Sequence, residues 1–344
     1  MYIWRRLTGS RRSASSFVPK SSMRNTKFKG RCTLSLSTVN AFKHMESAGN
    51  VVLDDKQLAA LQKTLNMILA DIISVCEENN ITYTLGGGSA LGAVRHHGFI
   101  PWDDDIDINM PRRDYDVFIP LFTRKFGWKY WIHTPQGTKG YNLLLSRIRL
   151  KGTSVVTRED FKNKEAGAFI DLFVMENTFN NALARNLHGL ACCGLGFLVS
   201  CRKFYRDRKQ MMKMAADSGE AGMAKVFKMK IAIGFLISFI SLDTLVRIGD
   251  NVNRICKNDH SKYVTVPTGR KYFFGEMYLR KDVCRTRKVL YDGNLYRVPR
   301  NIDLYLKNLY GDYMKLPSPD QIEKHIFFKP FYLSLEEKSS IEKR

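Results

Sequence analysis

Four carboxylates fall among five residues at 103–107, Asp103, Asp104, Asp105 and Asp107, and the run Gly86-Gly87-Gly88-Ser89 lies just upstream. In Asp105-Ile106-Asp107-Ile108 acids alternate with branched apolar residues, so an extended chain turns both carboxylates to one face and both isoleucines into a core. Carboxylates held that close repel each other and are costly to desolvate, so a partly buried pair shares a proton or a divalent cation. Oxygen-only ligands favour a hard ion, Mg²⁺ or Mn²⁺. Asp103 keeps the same alternation and joins the ligand set, whereas Asp104 should point away. An exposed acidic turn is the bland alternative; the apolar alternation and the glycine loop argue against it.

The glycine run follows the strand-like Ile81–Leu85, and backbone N–H groups there can approach an anion closely. Gly87, Gly88 and Ser89 are therefore candidate phosphate ligands, with Ser89 also able to cap the following helix. Arg95, with His96 and His97 beside it, ends that helix within reach of phosphate oxygens. Zinc-type Cys/His spacing is missing from the sequence.

Several elements must position these groups. Leu58, Leu61, Leu65, Ile68, Leu69, Ile72 and Ile73 recur at spacings of three and four, which predicts a core-facing helix from Leu53 with Asp54 or Asp55 at its start. Strands are expected over 141–156 with a turn at Lys151-Gly152, placing Arg147 and Arg149 on one face toward phosphates. Asp171 stands alone in the apolar run Ala168–Val174; an unpartnered acid there is expensive to bury, and a metal held by Asp105 and Asp107 would partner it. Arg112 and Arg113 either touch a nucleotide or face water.

The 344 residues carry a formal net charge of +22 and 44% hydrophobic residues, which predicts one large domain and an acidic partner. Residues 1–45 are basic and lack any acid, the composition of a disordered arm or targeting segment. Seven cysteines without a regular framework suggest reduced thiols and a cytoplasmic setting. Residues 177–260 change texture: apolar blocks at 187–201 and 231–246 flank the basic stretch 202–209. They read as buried helices or as a surface that lies peripherally on an anionic membrane.

The run from Ile81 to Tyr115, above all LGAVRHHGFIPWDDDIDINMPRRDY, closely resembles the LicD-type phosphotransferases, the group that includes the fukutin-like proteins; YGDYMKLP at 310–317 is similar to that family's C-terminal signature. The resemblance implies an α/β (α+β) nucleotidyltransferase-like fold, a mixed sheet flanked by helices. The catalytic core would span 53–176, a helical insert 177–260 and the C-terminal part of the domain 261–335. It implies transfer of a phospho-alcohol group, phosphocholine from CDP-choline in the commonest case, to a hydroxyl of a cell-surface glycan of lipopolysaccharide, teichoic acid or capsule type. Asp105, Asp107 and Asp171 would be catalytic, with Asp103 as a further metal ligand, and Arg95 and Arg147 would stabilise phosphate charge. Asp171 or Asp103 would take the acceptor proton. A partner list of CDP-activated donor and glycan acceptor follows, with no specific nucleic acid. Two other classes stay open: a nucleotide-adding enzyme acting on RNA or a small molecule, and a noncatalytic basic protein binding nucleic acid or membrane.

Overall fold

The expected helix is α1 (Asp55–Glu78), which buries Leu61, Leu65, Ile68, Leu69, Ile72 and Ile73 along one stripe. Asp54 caps it, accepting from the Gln57 N–H at 2.8 Å, while the Gln57 side chain returns the bond to the Asp54 N–H at 3.1 Å. The computed structural model describes residues 50–160, 163–217, 221–318, 322 and 325–342. The basic arm before residue 45 lies outside the described residues.

After β1 (Asn50–Val51) and α1 the chain runs β2 (Thr84–Leu85), α2 (Gly87–Arg95), β3 (Asp107–Pro111), α3 (Arg112–Phe126), β4 (Tyr130–His133), β5 (Ser146–Leu150), β6 (Ser154–Thr157) and β7 (Phe169–Thr178). Four helices follow, α4 (Ala182–Arg206), α5 (Arg208–Asp217), α6 (Ala221–Leu236) and α7 (Leu242–Asn253). The remainder is β8 (Tyr263–Thr265), α8 (Tyr272–Gly275), β9 (Met277–Leu279), α9 (Arg280–Val283), the hairpin β10 (Thr286–Tyr291) and β11 (Asn294–Pro299), α10 (Ile302–Tyr310), β12 (Phe327–Tyr332) and α11 (Leu335–Glu342).

The central sheet has the order β2-β3-β7-β5-β4, with β8 also paired to β7 and β9 to β8. Only β3 and β7 in it run parallel. This is the mixed α/β sheet expected, and helices α1 and α3 pack against it with Ile106, Ile108 and Ile170 fully buried between. The strand at the acids is shorter than the alternation suggested: Asp105 and Ile106 precede β3, and only Asp107 lies in it. Within 177–260 the chain forms the helices α4–α7, and the second apolar block breaks into α6 and α7 at Ser241, which caps α7.

Arg112 faces neither nucleotide nor water. It is buried, paired with Glu176 on β7 and with Asp250 on α7 at 3.0 Å, tying the insert to the sheet. Arg113 is exposed. The six described cysteines are all free thiols.

Candidate active site

Strand register brings three of the expected residues into one row across the sheet. Asp107 on β3 stands opposite Asp171 on β7, and Asp171 stands opposite Arg147 on β5. Directly opposed residues share a face, so the row forms a charged floor. Above it opens a cleft of about 920 Å³, lined among others by Gly88, Asp103, Asp105, Asp107, Arg147 and Arg95.

Asp171 holds Arg147 in a fork: its Oδ1 accepts from Nε at 2.6 Å and its Oδ2 from Nη2 at 3.1 Å. The remaining nitrogen, Nη1, is buried without a hydrogen-bond partner, 3.9 Å from Asp160. Asp171 is thus at the register position expected of a third metal carboxylate, yet both of its oxygens are engaged by the arginine. Arg149 departs from expectation more clearly. It is fully buried and gives Nη2 to Asp160 at 2.6 Å, so Arg149 is committed to an internal ion pair, and of the two arginines only Arg147 lines the cleft.

Gly86 occupies the cap position of α2, and the helix begins inside the glycine run. Ser89 therefore sits one turn in and does not cap; its hydroxyl accepts the Asp107 N–H at 3.0 Å and fixes the start of β3. The Gly87 N–H is given to the Tyr305 hydroxyl at 3.0 Å, which also accepts from Asn109 Nδ2 at 3.0 Å. What the glycines do is make room for acids. A Cβ on Gly87, whose φ is +42°, would lie 2.4 Å from Asp107 Oδ2, and one on Gly88 would lie 2.7 Å from Asp103 Oδ2.

Burial raises the proton affinity of Asp103, with Asp105 and Asp104 adding like charge, and raises that of Asp107, with Asp105, Asp171 and Asp103 adding to it. Asp105 is pushed up to about 6 by burial, even though His325 opposes the shift. Asp104 does not line the cleft, but its carboxylate stays close to that of Asp105 and takes a partner the sequence did not suggest. Its carboxylate accepts the His325 main-chain N–H at 2.9 Å and the ring Nδ1 at 2.7 Å. Burial opposes protonation of that ring, but Asp104 and Asp105 outweigh it and lift His325 to about 10. Among the described residues Asp104, Asp105 and His325 each offer a ligand atom within 4.8 Å of one another.

Asp103, Asp105 and Asp107 are raised first by burial and then by like charge, with His325 opposing. Their oxygen donors line one cleft and are of the kind that could hold a hard ion such as Mg²⁺ or Mn²⁺.

The rim is built from the C-terminal signature. α10 ends at Gly311, and Tyr310, Asp312 and Tyr313 line the cleft with Trp102 and His325. Arg95 holds this rim: its Nη1 donates to the Tyr313 carbonyl at 2.8 Å, and its Nε to His96 at 2.9 Å. Tyr115, on the inner side of α3, is buried with its hydroxyl 2.6 Å from Ser146 and does not reach the rim. Sequence reasoning also missed Arg270, which lines the cleft with its guanidinium 5.5 Å from the Tyr310 ring centroid. No local pattern marks Arg270 or Tyr305; the position of His325 shortly after the C-terminal signature was the one available signal for that residue.

Behind the rim, Glu276 is buried and accepts the Lys271 N–H at 2.9 Å. Burial raises its carboxyl from 4.5 to about 7, the bond from Lys271 opposing. A carboxyl raised in the fold contributes stability that is complete below about 4.5 and is lost as pH rises through about 7, roughly 3 kcal/mol in all. Glu276→Gln keeps an acceptor for Lys271 and removes the charge. Urea unfolding should find the variant and the wild type close at pH 5, and the variant about 2–3 kcal/mol more stable at pH 8. Identical pH profiles would remove this assignment.

The comparisons with known proteins fall on these residues. The family model described as LicD/FKTN/FKRP, nucleotidyltransferase domain, matches residues 80–183, from the glycine loop through β7. The Lipopolysaccharide cholinephosphotransferase LicD of Haemophilus influenzae is 26% identical over 282 residues, covering 80% of this chain and 96% of that protein. The Ribitol 5-phosphate transferase FKRP of human and mouse is 40% identical over 57 residues, 17% of this chain and 11% of theirs. An uncharacterized protein of Rickettsia typhi is 36% identical over 69 residues, 19% of this chain and 22% of its own length. With the family model lying over the cleft floor and one relative aligned over nearly its whole length, residues 80–183 of this chain match the LicD/FKTN/FKRP nucleotidyltransferase domain.

Proposed function

We propose that this protein is a metal-dependent transferase that moves phosphocholine from CDP-choline to a hydroxyl of a cell-surface glycan. The observation that carries the reading is the convergence of Asp103, Asp105 and Asp107 on one cleft whose floor also presents Arg147. The two named relatives have in common the transfer of an alcohol phosphate, and the one aligned over nearly its whole length is named for choline.

In this scheme Asp103, Asp105 and Asp107 would hold one or two Mg²⁺ or Mn²⁺, which when bound supply charge neutralisation at the donor's diphosphate. Arg147, locked in orientation by Asp171, offers its unpartnered Nη1 to a phosphoryl oxygen, where a preorganised donor is worth more than a mobile one. Trp102, Tyr310 and Tyr313 give the mouth aromatic faces for a cytosine ring or a quaternary ammonium. Of the two bases expected from the sequence, Asp171 has both oxygens on Arg147 and Asp103 faces the cleft. Asp103 is therefore the group assigned to take the acceptor proton, and in that role it would leave Asp105 and Asp107 as the cation's ligands.

The test is product analysis with a series of activated donors. CDP-choline, CDP-ribitol and CTP are each incubated with the protein, Mg²⁺ and a glycan fraction. The reading predicts CMP release from CDP-choline ahead of the other donors, with label from choline in the glycan. Pyrophosphate release from CTP, with CMP joined to the acceptor, would replace it with the nucleotide-adding reading.

A further inference from the structure

The helical insert presents a surface that the transfer reaction does not use. Between the end of α4, α5 and α6 lies a groove of about 570 Å³ whose floor is Tyr205, Met212, Ile231 and Phe235, with Arg208, Lys209 and Lys228 around it. Beside it the apolar side chains continue into solvent. Phe235 is 58% exposed, Leu236 70% and Phe239 83%, and the exposed Lys213 and Lys225 extend the basic border. Large exposed apolar side chains grouped this way on a soluble face mark a contact surface.

Charge selects the occupant. A second copy of this chain would bring the same basic border against itself in a protein of net charge +22, so self-association through this face is opposed by like charge. An apolar strip edged by lysine and arginine matches the boundary between the headgroups and acyl chains of an anionic bilayer, where apolar side chains sink and cations remain at the phosphates. The helix α4 is long and apolar enough to cross a membrane by length and composition. It is held in the fold instead, burying Cys192, Val199 and Phe204 and pairing Lys203 with Glu159. With these ties to the fold and only 22% of its apolar window buried, α4 leaves an apolar side free to lie along a bilayer rather than cross it.

We propose that α4–α6 dock this face on an anionic phospholipid bilayer, with Phe235, Leu236 and Phe239 inserted and Lys209, Lys228 and Arg208 on lipid phosphates. The helix α5 joins this face to the catalytic cleft. Met212 faces the groove, and Met214, two residues on, lines the cleft. Residues two apart lie on opposite sides of a helix, so docking would set the cleft one helix diameter, ~10 Å, from the membrane surface, within reach of a lipid-linked acceptor; this last clause rests on the transfer reading above, and the docking itself does not.

Flotation of the full chain with vesicles of phosphatidylcholine alone, or with 30 mol% phosphatidylglycerol, tests the docking directly. Binding should require the anionic lipid and weaken with rising salt. Lys209→Glu/Lys228→Glu and Phe235→Ser should each lower the bound fraction at least about tenfold while leaving the far-UV circular dichroism and CMP release in solution unchanged. Wild-type binding by both variants would overturn the proposal and assign any lipid affinity to the basic residues before 45. A concentration-dependent dimer dissolved by Phe235→Ser would overturn it in favour of a contact between copies. Loss of CMP release in the wild type with lipid binding intact would count against the transfer reading alone.

Discussion

Asp107→Asn is expected to lower kcat/KM for transfer by on the order of 10³-fold, about 4 kcal/mol of transition-state stabilisation, without lowering the stability of the metal-free protein. The substitution keeps shape and removes charge. The Asp107 backbone, bonded to Ser89 Oγ at 3.0 Å and paired in register with Asp171, is untouched. What changes is the repulsion that Asp107 suffers: burial, then Asp105, Asp171 and Asp103, all oppose its ionised form. Neutralising one member of a crowded acidic set relieves the others, so the metal-free variant should melt at or above the wild-type temperature. Kinetics and thermal melts in EDTA, read together, separate a ligand from a structural acid. Near-full turnover, or a variant that melts well below wild type, would show that Asp107 serves the fold and not the reaction.

The second large effect is expected at the glycines behind the acids, where two neighbouring substitutions should behave differently. Gly87→Ala places a Cβ 2.4 Å from Asp107 Oδ2 at a position whose φ is +42°. Left-handed backbone costs a residue with a side chain roughly 1–2 kcal/mol, and the displaced carboxylate adds to this, so both stability and activity fall. Gly88→Ala carries no such backbone penalty; its Cβ would lie 2.7 Å from Asp103 Oδ2. Only the carboxylate must move. Gly88→Ala should therefore fold nearly as stably as wild type yet lose at least about 100-fold in kcat, since a displacement of about an ångström in a reacting group is enough for that. Denaturant unfolding alongside steady-state kinetics checks the pair. A fully active Gly88→Ala would mean that Asp103 has no fixed role in the cleft.

The parts of this site that were legible from the sequence are those fixed by local rules. The three- and four-residue spacing along α1 and the alternation of Ile106 and Ile108 with acids depend on periodicity alone, and both sets of apolar side chains are buried as that periodicity requires. Alternation also set Asp104 apart from the cleft lining, though not from Asp105, whose carboxylate stays within 4.8 Å of it. What was not legible depends on partners distant in sequence. Arg149 reads like Arg147 until Asp160, eleven residues later, takes its guanidinium. Ser89 reads as a helix cap, and only the pairing of β2 with β3 shows that Asp107 claims its hydroxyl. Tyr305, 218 residues from Gly87, occupies a backbone N–H that glycine-loop reasoning aims at phosphate. Arg112 looks available for a nucleotide until the insert folds back and Asp250 closes on it. In each case the ambiguity was a donor without a visible acceptor, which only tertiary structure supplies.

The most direct test of the central claim is CMP release from CDP-choline by the purified protein with a glycan acceptor fraction, measured with Mg²⁺, with EDTA, and with Mg²⁺ restored in excess over EDTA. The account predicts release with Mg²⁺, loss with EDTA and recovery when the metal is restored. Release that persists in EDTA would contradict it, because Asp103, Asp105 and Asp107 would then be acting without the cation proposed for them.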